Sequence, residues 1–274
     1  ITRAQAAQVI ADHFGTRVRH TGGTYDTRLV PDQQGRDWKI VSDASIEGPQ
    51  EQRTELVSPI CTWEDIETVQ ALVRKLRQAG AKAHSSTGIH VHIGRGRHTP
   101  KTLRNLVNLV NSKENLLALA LGISQARLDR WCQPIDQDFL ARLNRRKPST
   151  DAAFAQLWYN TPYWEAHARQ HYDSSRYHLL NLHSVFQKGT IEFRAFNGTL
   201  HAGEIKAYIQ LAMAISHQAL KVSSASPRKS ETDNPKYTFR CWLLRLGFIG
   251  EEFATAREHL TKRLPGNAAW RQAS

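Results

Sequence analysis

Cysteine is scarce in this chain, with three residues, Cys61, Cys132 and Cys241, among 274. They stand far apart, with no Cys-x-x-Cys pair and no even set, which excludes the disulfide framework of a small secreted domain. A reducing, cytoplasmic setting is the expectation. Long apolar runs are missing too. Even the stretch from Ile205 to Leu220 is broken by Lys206, Gln210, Ser216 and His217, short of the roughly 18 uninterrupted residues of a membrane span. A soluble chain with no membrane contact is therefore expected. Methionine occurs once, at Met213, and the first residue is Ile1, so the chain is expected to be trimmed or to lack its natural beginning. No internal repeat is visible.

Acidic residues are in deficit. Thirty-seven Lys and Arg against 25 Asp and Glu leave a net charge of +12, a field that attracts nucleic acid, nucleotide phosphates or acidic peptides. The basic residues are spread along the chain, and no compact basic finger or aromatic-basic motif of a nucleic-acid reader occurs. A basic solvated surface is the plainer reading, and nucleic acid as a partner is weakly supported.

The remaining composition is that of a globular protein of one large or two small domains. "ITRAQAAQVIADHFG" reads as a helix with Thr2 as N-cap and Gly15 at its end. In "TYDTRLVPDQQGRDWKIVSDASI" two extended runs flank the turn residues Pro31 to Gly35, which predicts a hairpin. "TELVSPI" reads as a short strand. The helix "WEDIETVQALVRKLRQAG" follows Thr62, with Ile66, Val69, Val73 and Leu76 at helical spacing and Gly80 closing it. After the short strand "GIHVHIG", Thr99-Pro100 opens a leucine-rich, largely buried helix. Residues 125–176 are irregular and aromatic, predicting short helices and loops of a substrate-facing insertion. "YHLLNLHSVF" and "GTIEFRAFNG" are expected to be two strands of a hairpin turning at Gln187-Lys188-Gly189. A helix then covers "GEIKAYIQLAMAISHQAL". Polar, proline-bearing residues 223–236 are expected to be a linker or mobile loop, and residues 237–274 a small terminal unit of two helices. The fold class predicted is α+β, with residues 1–222 as the main domain.

Several residues in these strands are of types that carry chemistry. In "GIHVHIG" the period of two sends His90 and His92 to one face and Ile89, Val91 and Ile93 to the other. Such a pair suits a metal without naming it, and a plain strand stays open beside that reading. "TIEFRAF" places Glu192 and Arg194 side by side. They are either a surface ion pair of little consequence, or a cation ligand beside a guanidinium that forks onto phosphate. Asp43 and Glu55 sit in runs with Ile40, Val41, Leu56 and Val57. There they are either solvated at strand edges or compensated by a cation. Taken together on one predicted sheet, these groups suit two oxygen-rich metal positions with phosphate binding.

In order and spacing, "DWKIVSDASI", "TELVSPI", "STGIHVHIG" and "YHLLNLHSVFQKGTIEFRAFNGTLHAGEIKAYIQL" resemble the amidoligase family of carboxylate-amine ligases, from about Trp38 to Leu220. The resemblance implies a glutamine synthetase-like catalytic domain, a curved antiparallel sheet with helices packed on one face. Its concave side would hold ATP and two Mg²⁺ or Mn²⁺ ions. It implies His90, Glu192, Glu55 and Asp43 as metal ligands. His92, Arg194 and Asn181 would contact ATP or substrate, with Arg194 also catalytic through the transferring phosphate. The family opens with a strand bearing Glu-x-Glu just before a helix like the one starting at Thr2. No such pair precedes Thr2 here, so either it lies upstream of Ile1 or the site lacks those ligands.

The activity implied is ATP-dependent joining of a carboxylate to an amine, on a small molecule, peptide or protein, through an acyl phosphate. His183 is the candidate base for the amine. Two other classes stay open: a Zn²⁺-dependent hydrolase built on His90 and His92, and a non-catalytic basic binding module.

Overall fold

The computed structural model describes residues 1–269, so residues 270–274 of the expected terminal unit lie outside the described residues. In chain order the elements begin with α1 (Arg3–Phe14), β1 (Arg19–Gly22), β2 (Thr27–Pro31), β3 (Asp37–Ser42), β4 (Thr54–Val57), α2 (Ile66–Gln78), β5 (Gly88–Gly94) and α3 (Pro100–Leu121). The aromatic segment follows as α4 (Gln125–Arg130), α5 (Gln137–Arg146), α6 (Asp151–Tyr159) and α7 (Trp164–Ala168). The chain ends with β6 (Leu180–Asn181), α8 (His183–Lys188), β7 (Thr190–Asn197), α9 (Ala202–Lys221), α10 (Pro235–Arg245) and α11 (Ala254–Thr261). The molecule is α+β with antiparallel sheets, as predicted. It divides into two compact units, the first of Ile1–Gly88 with Gly198–Lys206 and the second of Ile89–Asn197 with Ala207–Ser274.

In the first unit the strands run in the order β1-β2-β3-β4. The predicted hairpin is β2 and β3, antiparallel with Val30 opposite Trp38. Its turn is held by Asp32, which accepts from the backbone N–H groups of Gln34 and Arg36 at 2.9 Å; this is the local bonding that suits aspartate to turns. Helix α1 starts at a reciprocal capping box, with Gln5 Oε1 accepting from the Thr2 N–H at 2.8 Å. Its apolar side, Ala7, Ile10 and Ala11, packs with Val30, Trp38, Ile40 and Leu72 into one small core.

The second unit holds a three-stranded sheet in the order β5-β7-β6. Among the described residues the ladders therefore form two sheets rather than the single one expected. The Thr99-Pro100 signal is confirmed as the start of α3, whose buried leucines share a core with Val91, Ile191, Phe193 and Ala195. Phe239, Trp242 and Leu260 of α10 and α11 enter that same core. Residues 223–234, which carry no helix or strand, lie along α3. Its Asn108 and Asn111 donate to the carbonyls of Ala225 and Pro227 at 2.9 and 2.6 Å.

The expected hairpin before β7 is corrected. "LNLHSVFQKG" forms only two residues of strand and then the short helix α8, closed by Gly189 at φ +70°. Leu182, Val185 and Phe186 are at helical spacing, and the first two are buried. The turn residues Gln187-Lys188-Gly189, which suggest a hairpin, instead close this helix. His183 thus belongs to the first turn of a helix, not to a strand.

Candidate functional site

One face of the three-stranded sheet gathers five of the expected residues. β7 is its central strand, and alternation sends Ile191, Phe193 and Ala195 into the core while Glu192 and Arg194 take the other side. Asn181 on β6 stands directly opposite Glu192 in the ladder, which puts the two side chains on one face. Its amide donates to Glu192 Oε2. On the other flank, β5 turns Val91 to the core and exposes His90 and His92. Both rings approach the same carboxylate oxygen, with His90 Nδ1 at 3.5 Å and His92 Nε2 at 3.6 Å from Glu192 Oε1.

Arg194 Nη1 donates to that oxygen at 2.7 Å. Glu192 is 2% and Arg194 6% accessible, which decides between the two readings of this pair: it is not a surface ion pair. Burial acts to raise the Glu192 pKa, but the Arg194 charge, the two imidazoles and the Asn181 amide outweigh it and bring the pKa down to about 2. Desolvation, followed by the Arg194 charge, lowers His90 to about 3. His92 is lowered as well, mainly by desolvation. The face therefore presents one carboxylate anion to two neutral imidazoles, each with about a third of its side-chain surface open (31% and 34%).

Neutral imidazole and ionised carboxylate are the protonation states a metal ligand needs. Two donors sharing an ion at about 2.1 Å stand roughly 3 to 3.5 Å apart, close to the separations found between Glu192 and each imidazole. The pairs fit a divalent ion, but a closed set is absent. Among the described residues no group of three or more His, Cys, Asp or Glu is arranged to hold a metal, and Glu192 Oε1 is shared with Arg194. Two nitrogens and one carboxylate also suit Zn²⁺ or Mn²⁺ at least as well as oxygen-seeking Mg²⁺.

The supporting residues left little trace in the sequence. Thr190 Oγ1 lies 3.0 Å from His92 Nδ1 and 2.7 Å from Ser184 Oγ, so two hydroxyls orient that ring. Arg127 of α4, itself buried, donates to the carbonyl of Phe196 at the end of β7 at 3.3 Å. The ring of Tyr177 has the Arg194 guanidinium 5.7 Å from its centre. His183 is 1% accessible, and its Nδ1 meets the Tyr159 hydroxyl at 2.6 Å. Burial is the main cause lowering its pKa, so the ring is neutral.

Asp43 and Glu55 belong to the first unit. Asp43 lies just past β3, where Oδ1 accepts from the backbone N–H and hydroxyl of Ser45 at 2.8 and 2.7 Å. Glu55 is exposed on the edge strand β4, opposite Val41.

Residues 1–216 of the 274 match the family described as "Putative amidoligase enzyme". The chain belongs to that family. Amidoligase membership places it among ligase-type enzymes and bears out the resemblance carried by the "GIHVHIG" and "TIEFRAF" strands. No curated protein and no solved structure matches it. Among the described residues of this amidoligase, no helix is long and apolar enough to cross a membrane.

Proposed function

We propose that this amidoligase joins a carboxylate to an amine at the expense of ATP, on a catalytic domain of the glutamine synthetase-like type. The observation that carries the reading is the row Asn181–Glu192–His90/His92 on one sheet face, with Arg194 beside it. Neutral imidazoles and a buried guanidinium offer N–H donors to phosphate, and the fixed carboxylate suits the cation that would accompany it.

In the proposed reaction a substrate carboxylate oxygen attacks the γ-phosphorus of ATP, the bond to the bridging oxygen breaks and ADP leaves. The amine nitrogen then attacks the acyl carbon of the resulting acyl phosphate, and inorganic phosphate departs with the bonding pair. Arg194 places its remaining N–H donors on the transferring group. A guanidinium has five, of which Glu192 takes one of the two at Nη1 and the Trp131 carbonyl the one at Nε. His92, oriented by Thr190, and Asn181 contact the nucleotide or substrate. The amine's proton passes to the Tyr159 hydroxyl as that group gives its own to His183 Nδ1, the atom it already meets.

His90 and Glu192 are the residues that would hold a divalent ion, with Asp43 and Glu55 of the first unit as the proposed oxygen-rich contributors to a second. Bound Mg²⁺ or Mn²⁺ would neutralise phosphate charge during transfer. The test is ADP release that requires both a carboxylate and an amine, measured on the wild type and on Glu192→Gln. The expected outcome is loss of turnover by at least 100-fold with the fold kept. Unchanged turnover in the variant overturns the proposal. One observation favours a second reading, since two imidazoles beside a carboxylate also suit a Zn²⁺ hydrolase; turnover without ATP would select it.

A further inference from the structure

Away from the Glu192 face, the second unit contains a cleft of about 300 Å³ in the aromatic segment, lined among others by Trp158, Tyr159, His167, Asp173, Tyr177 and His178. That volume lies at the small end of ligand sites. We propose that this cleft binds the amine substrate, a primary amine carried on an aromatic or similarly flat apolar body. The inference rests on the ligase reading for its role, although the binding it requires does not.

The chemistry of the walls is one-sided. Asp173 is 6% accessible. Its Oδ2 meets His167 Nδ1 at 2.7 Å and its Oδ1 accepts from the Ser175 N–H at 3.0 Å. A carboxylate has about four acceptor positions, so capacity for further donors remains. Burial acts to raise its pKa, but bonds from Ser175 and His167 prevail and keep it below the usual carboxylate range. His178 Nδ1 lies 2.9 Å from the carbonyl of Pro134. A carbonyl only accepts, so the proton is on Nδ1 and Nε2 carries a lone pair. Anion and lone pair favour a group rich in N–H donors and positive charge, and the rings of Trp158, Tyr159 and Tyr177 supply flat apolar walls for its body.

The walls are also rigid. Trp158 packs edge-on against His178 with ring centres 5.4 Å apart, and Tyr159 stacks on His167 at the same distance. Backbone bonds from the Gln133 N–H to Tyr177 at 2.8 Å and from the Leu179 N–H to Gln133 at 2.9 Å fix the segment between them. The cleft is tied to the Glu192 face at two points. Tyr177 lines the cleft and lies beside the Arg194 guanidinium, while Tyr159 lines it and bonds to His183. An amine held here would stand next to the residues proposed to handle phosphate and the departing proton. The positive groups nearby are already engaged, with Arg176 over the rings of Tyr172 and Tyr177 and bonded to the His171 carbonyl at 2.8 Å.

Equilibrium binding of 2-phenylethylamine, 2-phenylethanol and 3-phenylpropionate to the whole chain without ATP, by calorimetry or NMR, tests the site. The amine is expected to bind at least tenfold tighter than the alcohol and the acid. Asp173→Asn should weaken the amine tenfold or more while sparing the alcohol, and Trp158→Ala should weaken both. Equal binding of amine and alcohol, preference for the acid, or amine binding unmoved by Asp173→Asn overturns the inference. The comparison of ligands on the wild type needs no variant to fold. ATP consumption is measured separately: amine binding without ATP turnover sinks the ligase reading alone, and ATP turnover without amine binding sinks this one alone.

Discussion

Asn181 and Glu192 face each other across the β6–β7 ladder, and the Asn181 amide donates to a carboxylate oxygen that is buried with it. A hydrogen bond to a buried charge contributes about 1.5 to 3 kcal/mol. Asn181→Leu should therefore lower stability by about that amount at neutral pH. Glu192 has its pKa lowered to about 2, so its stabilising contribution is complete above the ordinary carboxylate range and lost as pH falls toward 2. The variant has less of this contribution to lose. Urea midpoints of wild type and variant, apart at pH 7, should converge as the pH approaches 2; a constant gap would contradict the assignment.

The asparagines of α3 recur every three residues on one helix face and catch the segment after α9 one carbonyl after another. Asn105 reaches Val222, Asn108 reaches Ala225 and Asn111 reaches Pro227. Each bond is worth about 1 kcal/mol, and what they hold is a stretch with no regular structure of its own. In the double variant Asn108→Ala, Asn111→Ala, tryptic cleavage at Arg228 and Lys229 should accelerate several-fold and amide exchange over residues 222–230 should rise, with helical content unchanged. Equal cleavage rates would show that the asparagines do not restrain the segment.

Local signals were legible wherever a residue acts through its own backbone. Thr2 and Thr99 cap, the Pro31–Gly35 turn makes the β2–β3 hairpin, and alternation puts His90 with His92 and Glu192 with Arg194. Features that depend on distant pairing were not legible. Nothing local says that the ladders separate into two sheets, or that Asn181 lands opposite Glu192. In "NLHSVFQKG" the turn residues Gln187-Lys188-Gly189 suggest a hairpin, but the helical spacing and burial of Leu182 and Val185 decide for a helix that Gly189 closes. Burial also settled the Glu192–Arg194 pair, since the same two residues on an exposed strand would be of little consequence. The aromatic segment was recognisable by composition as a run of short helices and loops. Which rings line the cleft depends on how α6 packs against the strand-like run from Tyr177 to Leu179.

Glu114 of α3 gives a pH response of the opposite sign. It is 3% accessible, with Oε1 accepting from the Ile135 N–H at 2.8 Å and Lys229 3.7 Å from Oε2. Burial outweighs these partners and raises its pKa to about 7. A carboxyl that holds its proton more tightly when folded stabilises the fold at acid pH and loses that contribution as pH rises through 7. Glu114→Gln keeps the shape without the charge. Its thermal midpoint should exceed that of the wild type at pH 8, and the difference should shrink at pH 5. A variant less stable than wild type at pH 8 would mean that the Lys229 contact outweighs burial.

The Glu192–Arg194 pair separates stability from function most directly. Both groups are almost wholly buried and their charged atoms are 2.7 Å apart. Removing one partner of such a pair strands the other charge away from water and costs about 3 to 5 kcal/mol. Replacing both by apolar residues of similar size is close to neutral, because the desolvation cost of the two ions disappears with their attraction. Arg194→Met should therefore be strongly destabilised, Glu192→Leu less so because a guanidinium has carbonyls to bond, and the double variant should recover most of the lost stability. Denaturant unfolding of the four proteins measures the cycle, and a coupling of at least 1 kcal/mol is expected. If the pair acts on phosphate as proposed, the double variant should regain its fold without regaining ATP-dependent turnover. A double variant that is folded and fully active would remove Glu192 and Arg194 from the reaction altogether.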